Sequence, residues 1–374
     1  MTDDVTVPRA IRVSAAWSWR VLLVAVALAA LFWLLTVLKT VVVPVAIALL
    51  VTIVLTPPVT WLQRRVRLPR AAASGVALLG LLAVIGLLIG LAGSSIVSGI
   101  AELWQEAGVG IGRVTDWLAQ GPLHLSTTQV DDYVSRIGSS ISKDSGGIVS
   151  GALSVTTTVG HVAAGTLIAI FCTFFFLLDG RAIWTWVVGL LPLPAREPVH
   201  QAGRRALITL GAYTRTQVLV AFVDAVGIGV GAAVLRVPLA LPLGIIVFVG
   251  SFIPIVGAVL SGSIAILVAL VAQGPGAAAL MLIVVLVVQQ LEGHVMQPFL
   301  MGHAVSMHPV AVLLVVATGS LMAGIVGALF AVPVAAVLNT VMLYLHGHDK
   351  FPALGDRDHV RIRGRAPTDA EELA

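Results

Sequence analysis

Apolar residues in this chain come as long continuous runs, not as stripes. They occupy residues 21–38, 41–62, 71–100, 152–178, 218–235, 239–272, 277–291 and 310–345. A helix needs roughly 20 apolar residues to cross a hydrocarbon core about 30 Å thick. Short segments of alternating polarity, the mark of a membrane β-barrel, are absent. The pattern predicts an all-α polytopic membrane protein with about eight transmembrane helices. Pro57-Pro58 is expected to end the second span. A Pro-rich connector around residues 191–194 leads into an amphipathic stretch over 199–217, and the fifth span follows.

Two runs are too long for one upright span. Residues 239–272 would form a helix about 50 Å long, and residues 310–345 a longer one. Each carries helix breakers. The first contains Ser251-Phe252-Ile253-Pro254-Ile255-Val256-Gly257; the second contains Gly319, Gly324, Gly327 and Pro333. Proline removes a backbone donor and clashes with the preceding turn. We therefore expect two Gly/Pro-broken or re-entrant segments, with breaks around Pro254 and Pro333; a tilted, kinked helix is the alternative. Backbone groups freed at such breaks survive at membrane depth only against protein or a wet cavity.

Composition agrees. Of 374 residues, 58% are hydrophobic and only 11% charged, with a net charge of +4. Soluble domains carry roughly 25% charged residues. The positive charges lie beside apolar runs, which fits membrane topology better than nucleic-acid binding. Gln63-Arg64-Arg65-Val66-Arg67-Leu68-Pro69-Arg70 marks a cytoplasmic loop, and Arg181, Arg196, Arg204, Arg205 and Arg215 mark another. Both termini are then expected in the cytoplasm of a bacterial inner-membrane protein, with the first apolar run an uncleaved span. Residues 101–151 hold six acids against three bases and fall outside, as amphipathic helices lying on the spans. The expected organisation is a three-span region over 1–100, this external segment, a transport core over 152–348, and a cytoplasmic tail without fixed structure over 349–374.

Charges inside the apolar runs are the candidates for chemistry, because a charge at the bilayer centre is costly. Glu292, after Gln289-Gln290-Leu291, reads as a proton- or cation-binding carboxylate or as a structural one bonded to a helix end. Asp224 is a second such acid, with Arg215 and Arg236 as possible partners. Arg236 is expected to snorkel to the interface. Pro254, Gly257 and Pro333 would expose backbone groups to a polar solute, as broken transporter helices do. Gly227, Gly229 and Gly231 suggest close helix packing. His294, His303 and His308 match no compact metal motif, Asp179 reads as an interfacial helix terminus, and the single Cys172 as core packing. No phosphate-binding loop, nucleophile elbow or His-Glu-x-x-His sequence is present, so neither an enzyme nor a cofactor is expected.

From Thr166 onward the chain resembles the autoinducer-2 exporter family, a family of bacterial permeases. The matching pieces are Phe174-Phe175-Phe176-Leu177-Leu178-Asp179-Gly180, then Tyr213, Arg215 and Gln217, then Val237-Pro238-Leu239-Ala240-Leu241-Pro242-Leu243-Gly244. Phe252-Ile253-Pro254-Ile255-Val256-Gly257 follows, then Gln289, Glu292, Pro298, Gly302, His308-Pro309 and 324–333. Where the family usually has Ile-Pro-Tyr-Ile-Gly, this chain has Ile255 and Val256 and lacks the tyrosine hydroxyl. The resemblance implies export of small polar solutes, autoinducer-2 being the named case, and a homo-oligomer with a pentamer as the expected form. It adds Gln289 to the candidate binding residues. Some relatives look like sodium/proton antiporters, which makes a monovalent cation the alternative cargo. A membrane scaffold binding a partner through the external helices is the third reading.

Overall fold

A computed structural model describes residues 9–120, 148–254, 256–296, 308–355 and 358–359. Among the described residues, eight helical stretches are long and apolar enough to cross a bilayer. The helices are α1 (Arg9–Val37), α2 (Lys39–Arg65), α3 (Arg70–Gln120), α4 (Ile148–Gly189), α5 (Leu193–Val234), α6 (Ala240–Gly250), α7 (Val256–Gln273), α8 (Pro275–Leu291) and α9 (Pro309–Leu345). A single π-helical turn, Glu292–Met296, extends α8.

Several expected boundaries give way to longer helices. Pro57 and Pro58 do not end the second span, because α2 runs through both to Arg65. Membrane helices tolerate such prolines when neighbouring turns hold the freed carbonyls in place. The amphipathic stretch and the fifth span form one 42-residue helix, α5. Nothing between them interrupts the backbone ladder, so polarity changes along the helix without breaking it. Likewise α3 continues for 51 residues into the segment expected outside. Residues 121–147, the rest of that segment, lie outside the described part. Asp179 does not terminate α4; it breaks the helical geometry inside it (φ −131°, ψ 26°).

Both long apolar runs are helical hairpins. In the first, α6 descends for only 11 residues. α7 then returns to the level where α6 began: Gln273 Nε2 at its end donates to the Arg236 carbonyl before α6. The limbs cross where a Cβ on Gly257 would overlap the Gly250 carbonyl oxygen, so only glycine permits the approach. In the second, α9 reverses at Ala323 (φ −140°, ψ 22°) and Gly324 (φ 61°, ψ −143°). A Cβ on Gly319 would lie 2.9 Å from the Cβ of Ala331. Twelve residues of straight helix would separate the two by about 18 Å. The break therefore sits at Ala323–Gly324 and not at Pro333, which lies within the second limb. A positive φ that glycine adopts freely reverses the chain, whereas Pro333 only forgoes one bond.

α5 is the axis on which these parts meet. Its Gly227 and Gly231 lie against Val288 and Val284 of α8, and Gly229 approaches Gly244 of α6. Ile228, Ala232, Leu243, Val247, Ala265, Ala269, Met281 and Val285 close one apolar core between α5, the first hairpin and α8. A second core joins α2, α3 and α4 through Leu55, Val59, Ala73, Ala77, Leu78 and Leu177. The outer surface is apolar, with Trp17, Trp33, Leu79 and Leu167 exposed. That surface suits lipid as solvent.

The first residues of the expected free tail are fixed. Arg205 of α5 donates from Nε and Nη2 to the Asp349 carboxylate at 3.0 and 2.6 Å. Its guanidinium also stacks 3.9 Å from the Tyr344 ring centre. Asp358 takes Arg181 at 2.6 Å, and its carbonyl oxygen lies 3.0 Å from both His200 Nε2 and Gln201 Nε2. His200 Nδ1 accepts from Trp184 Nε1, so Nε2 carries the proton and donates. Residues 360–374 lie outside the described part.

Candidate functional site

α5 carries a polar stripe on its buried face. Tyr213, Gln217 and Asp224 stand at i, i+4 and i+11, which places them on one side of the helix. All three are enclosed: their relative exposures are 5%, 4% and 1%. Asp224 lies ten residues before the end of α5, about 15 Å along the axis. That is roughly the middle of a 30 Å core.

The tip of the first hairpin meets this stripe. Gln217 Nε2 donates to the Ser251 carbonyl at 2.5 Å. Ser251 Oγ donates to Asp224 Oδ2 at 3.0 Å. The break between α6 and α7 thus places one backbone carbonyl and one hydroxyl beside a buried carboxylate. Asp224 takes this hydroxyl and neither Arg215 nor Arg236. Both arginines are exposed, and Arg236 stands in the left-handed region (φ 56°) after α5. Pro254 and Gly257 shape the tip: Gly257 N–H donates to the Ile253 carbonyl, and the Gly250 contact holds the limbs together.

α8 brings the second carboxylate. Its contacts with α5 pair residue 284 with 231 and residue 288 with 227. One further turn sets Glu292 level with Asp224, and the two charges are within electrostatic reach. Glu292 is half-buried and opens the π-helical turn. Such turns occur mostly as single bulges, frequently at functional sites. Gln289, one turn earlier, has a buried side-chain amide nitrogen.

The second hairpin closes the stripe from another side. Tyr213 packs with Val316, Ala328 and Val332, and Ile253 of the first hairpin joins them. Pro333, next to Val332, is buried in this limb. It supports packing beside the site, nine residues past Gly324. Toward the Arg205 end, Thr209 and Thr340 share a buried hydrogen bond of 3.0 Å. α5 and the second limb of α9 therefore run side by side for several turns.

Tyr213 Oη, Gln217 Oε1, Asp224 Oδ1 and Gln289 Nε2 are buried with no partner among the described residues. Buried polar atoms are almost always hydrogen-bonded, so a concentration of unpaired ones calls for a ligand or water. Sequence reading reached Asp224, Glu292 and Gln289. It did not assign Tyr213, Gln217 and Ser251 to the site, although the i, i+4, i+11 spacing to Asp224 was a readable signal. His308 caps α9, its Nδ1 accepting from Val310 N–H at 3.3 Å; His303 lies outside the described part.

Residues 22–347 match the model of the family described as AI-2E family transporter. A Mycobacterium tuberculosis protein named "Putative transport protein MT0215" is 40% identical over 360 residues, covering 96% of this chain and 98% of the relative. The Bacillus subtilis "Putative transport protein YrrI" is 29% identical, over 84% and 88% of the two chains. A Halobacillus andaensis protein named "Sodium-lithium/proton antiporter" is 24% identical, over 76% and 84%.

Proposed function

The chain belongs to the AI-2E transporter family and is a multi-pass membrane protein, and we propose that it is a secondary transporter of small polar solutes using the Asp224–Glu292 pair for coupling. The observation carrying this reading is that two carboxylates from separate helices lie within electrostatic reach of each other beside a broken hairpin. Like charges within electrostatic reach in a low dielectric favour binding of a proton or cation by the pair. Binding there removes one negative charge and weakens the repulsion between α5 and the end of α8. The hairpin tip, held to α5 by Gln217 and Ser251, is then free to shift.

The unpaired atoms suit a hydroxylated cargo. Gln217 Oε1 and Asp224 Oδ1 accept from its hydroxyls, Gln289 Nε2 donates, and Tyr213 Oη does either. Autoinducer-2 is one such solute, and the family name supports it. No chemistry on the cargo is required. We place the Arg64–Arg70 loop and both termini in the cytoplasm by the positive-inside rule; the hairpins return to their own side and preserve this orientation. The family resemblance makes export from an inner-membrane homo-oligomer the proposed direction and assembly.

Monovalent-cation exchange is the second reading, favoured by the same oxygens and by the name of the Halobacillus relative. Purified protein in liposomes tests both. Under a pH gradient, with and without sodium, internal pH and autoinducer-2 flux are followed for wild type, Glu292→Gln and Asp224→Asn. Solute flux that the variants abolish supports the exporter. Sodium-driven proton movement without solute flux supports the exchanger. Unchanged solute flux and pH response in both variants sinks the coupling role.

A further inference from the structure

The cleft between α2 and α4 lies apart from the transport site and has its own chemistry. It encloses about 300 Å³. One wall is a single face of α2: Thr52, Thr56, Thr60 and Gln63 stand at i, i+4, i+8 and i+11. Phe176 and Leu177 of α4 make it apolar on the other side, Val59 adds an apolar residue to the α2 wall, and Arg70, the first residue of α3, closes the end.

Three features select an amphiphilic anion. First, the threonine hydroxyls are spent within α2, donating to the Ala48, Thr52 and Pro57 carbonyls at 2.6–2.8 Å. They leave a wall of methyl groups and lone pairs with no free charge. Second, Arg70 is oriented by its own backbone partner. Its Nε donates to the Leu177 carbonyl at 2.9 Å, and its two Nη groups have no partner among the described residues. Third, the positive charges are not ion-paired. Arg64, Arg65, Arg67 and Arg70 stand around this end, and Asp179, two residues past Leu177 on α4, takes none of them at ion-pair distance. None of these four is in an ion pair among the described residues. The amino end of α3 adds its positive dipole beside Arg70. Trp61, exposed on the same turn of α2 as Gln63, fits the headgroup level of a membrane.

We infer that this cleft is a site for an anionic phospholipid. The phosphate binds the free Nη groups of Arg70 and the Gln63 amide. The glycerol backbone lies along the threonines and one acyl chain against Val59, Phe176 and Leu177. Basic pockets between helices near the membrane surface hold anionic headgroups by this combination.

The test is lipid retention by the full-length protein, delipidated and re-equilibrated with phosphatidylglycerol or phosphatidylcholine, read by native mass spectrometry. Wild type should retain one phosphatidylglycerol in preference to phosphatidylcholine. Arg70→Gln should lower that retention about tenfold, the effect of losing a charge-assisted hydrogen bond. Thr60→Trp fills the cleft while keeping the Arg70–Leu177 bond, so it stays informative if Arg70→Gln misfolds; it should lower retention as much. The triple change Arg64→Gln, Arg65→Gln, Arg67→Gln, at positions that surround the cleft without lining it, should lower retention less than Arg70→Gln does. Equal retention of both lipids by wild type, loss only in the triple variant, or undiminished retention in Thr60→Trp would each overturn the proposal. So would the same thermal shift from inorganic phosphate as from phosphatidylglycerol, which would assign a soluble anion.

Discussion

Neutralising Asp349 tests whether the first residues of the tail hold the second hairpin against α5. Arg205 is 2% exposed and the Asp349 side chain 22%. Two nitrogens of one guanidinium reach one carboxylate, at 3.0 and 2.6 Å, with the Tyr344 ring over the cation. Arg205 Nη1 is also tied to the Gln201 carbonyl at 3.2 Å. Asp349→Asn keeps an acceptor but strands a buried charge. Breaking a buried pair costs about 3–5 kcal/mol, and the retained amide oxygen and partial exposure bring the expectation to about 2–3 kcal/mol. The apparent melting midpoint of the purified protein should drop by about 3–4 °C. The Arg205 hydrogen bonds hold the Asp349 carboxyl below its ordinary range. A depressed carboxylate contributes stability above its unfolded pKa and loses it as pH falls through the folded one. Wild type should therefore lose midpoint as pH drops below the ordinary carboxylate range, and Asp349→Asn should flatten that part of the profile. Replacing both partners, Arg205→Met with Asp349→Leu, should cost less than Asp349→Asn alone. A shift in Asp349→Asn within about 1 °C of wild type would refute the reasoning. A double variant worse than the single would refute it too.

Two other changes probe the hairpin and the stripe. Gly257→Ala forces a methyl group into the Gly250 carbonyl, which cannot move aside, and should cost about 1–3 kcal/mol or more. Gly276→Ala, with open space around its Cβ, should be neutral in the same thermal assay. Tyr213→Phe removes a buried hydroxyl with no partner among the described residues, so the melting midpoint should hold or rise. Solute flux should nevertheless fall; unchanged flux would remove Tyr213 from the cargo path.

Much of this protein is local and so was written in the sequence. Apolar runs, basic flanks and the scarcity of charge fix a helical membrane protein, because each helix satisfies its own backbone and needs only lipid outside. Buried acids in such runs are conspicuous for the same reason, so Asp224 and Glu292 could be found without coordinates. The first break was legible at Pro254 and Gly257. The second was not: Pro333 drew attention, yet Gly324 turns the chain, because reversal depends on a positive φ and on Gly319 meeting Gly327. Only the tertiary structure decided that Ser251 serves Asp224, and that Arg205 awaits Asp349, 144 residues away. Those pairings depend on which helices stand side by side. Periodicity along one helix carries the face a residue occupies, but not the partner that face will meet.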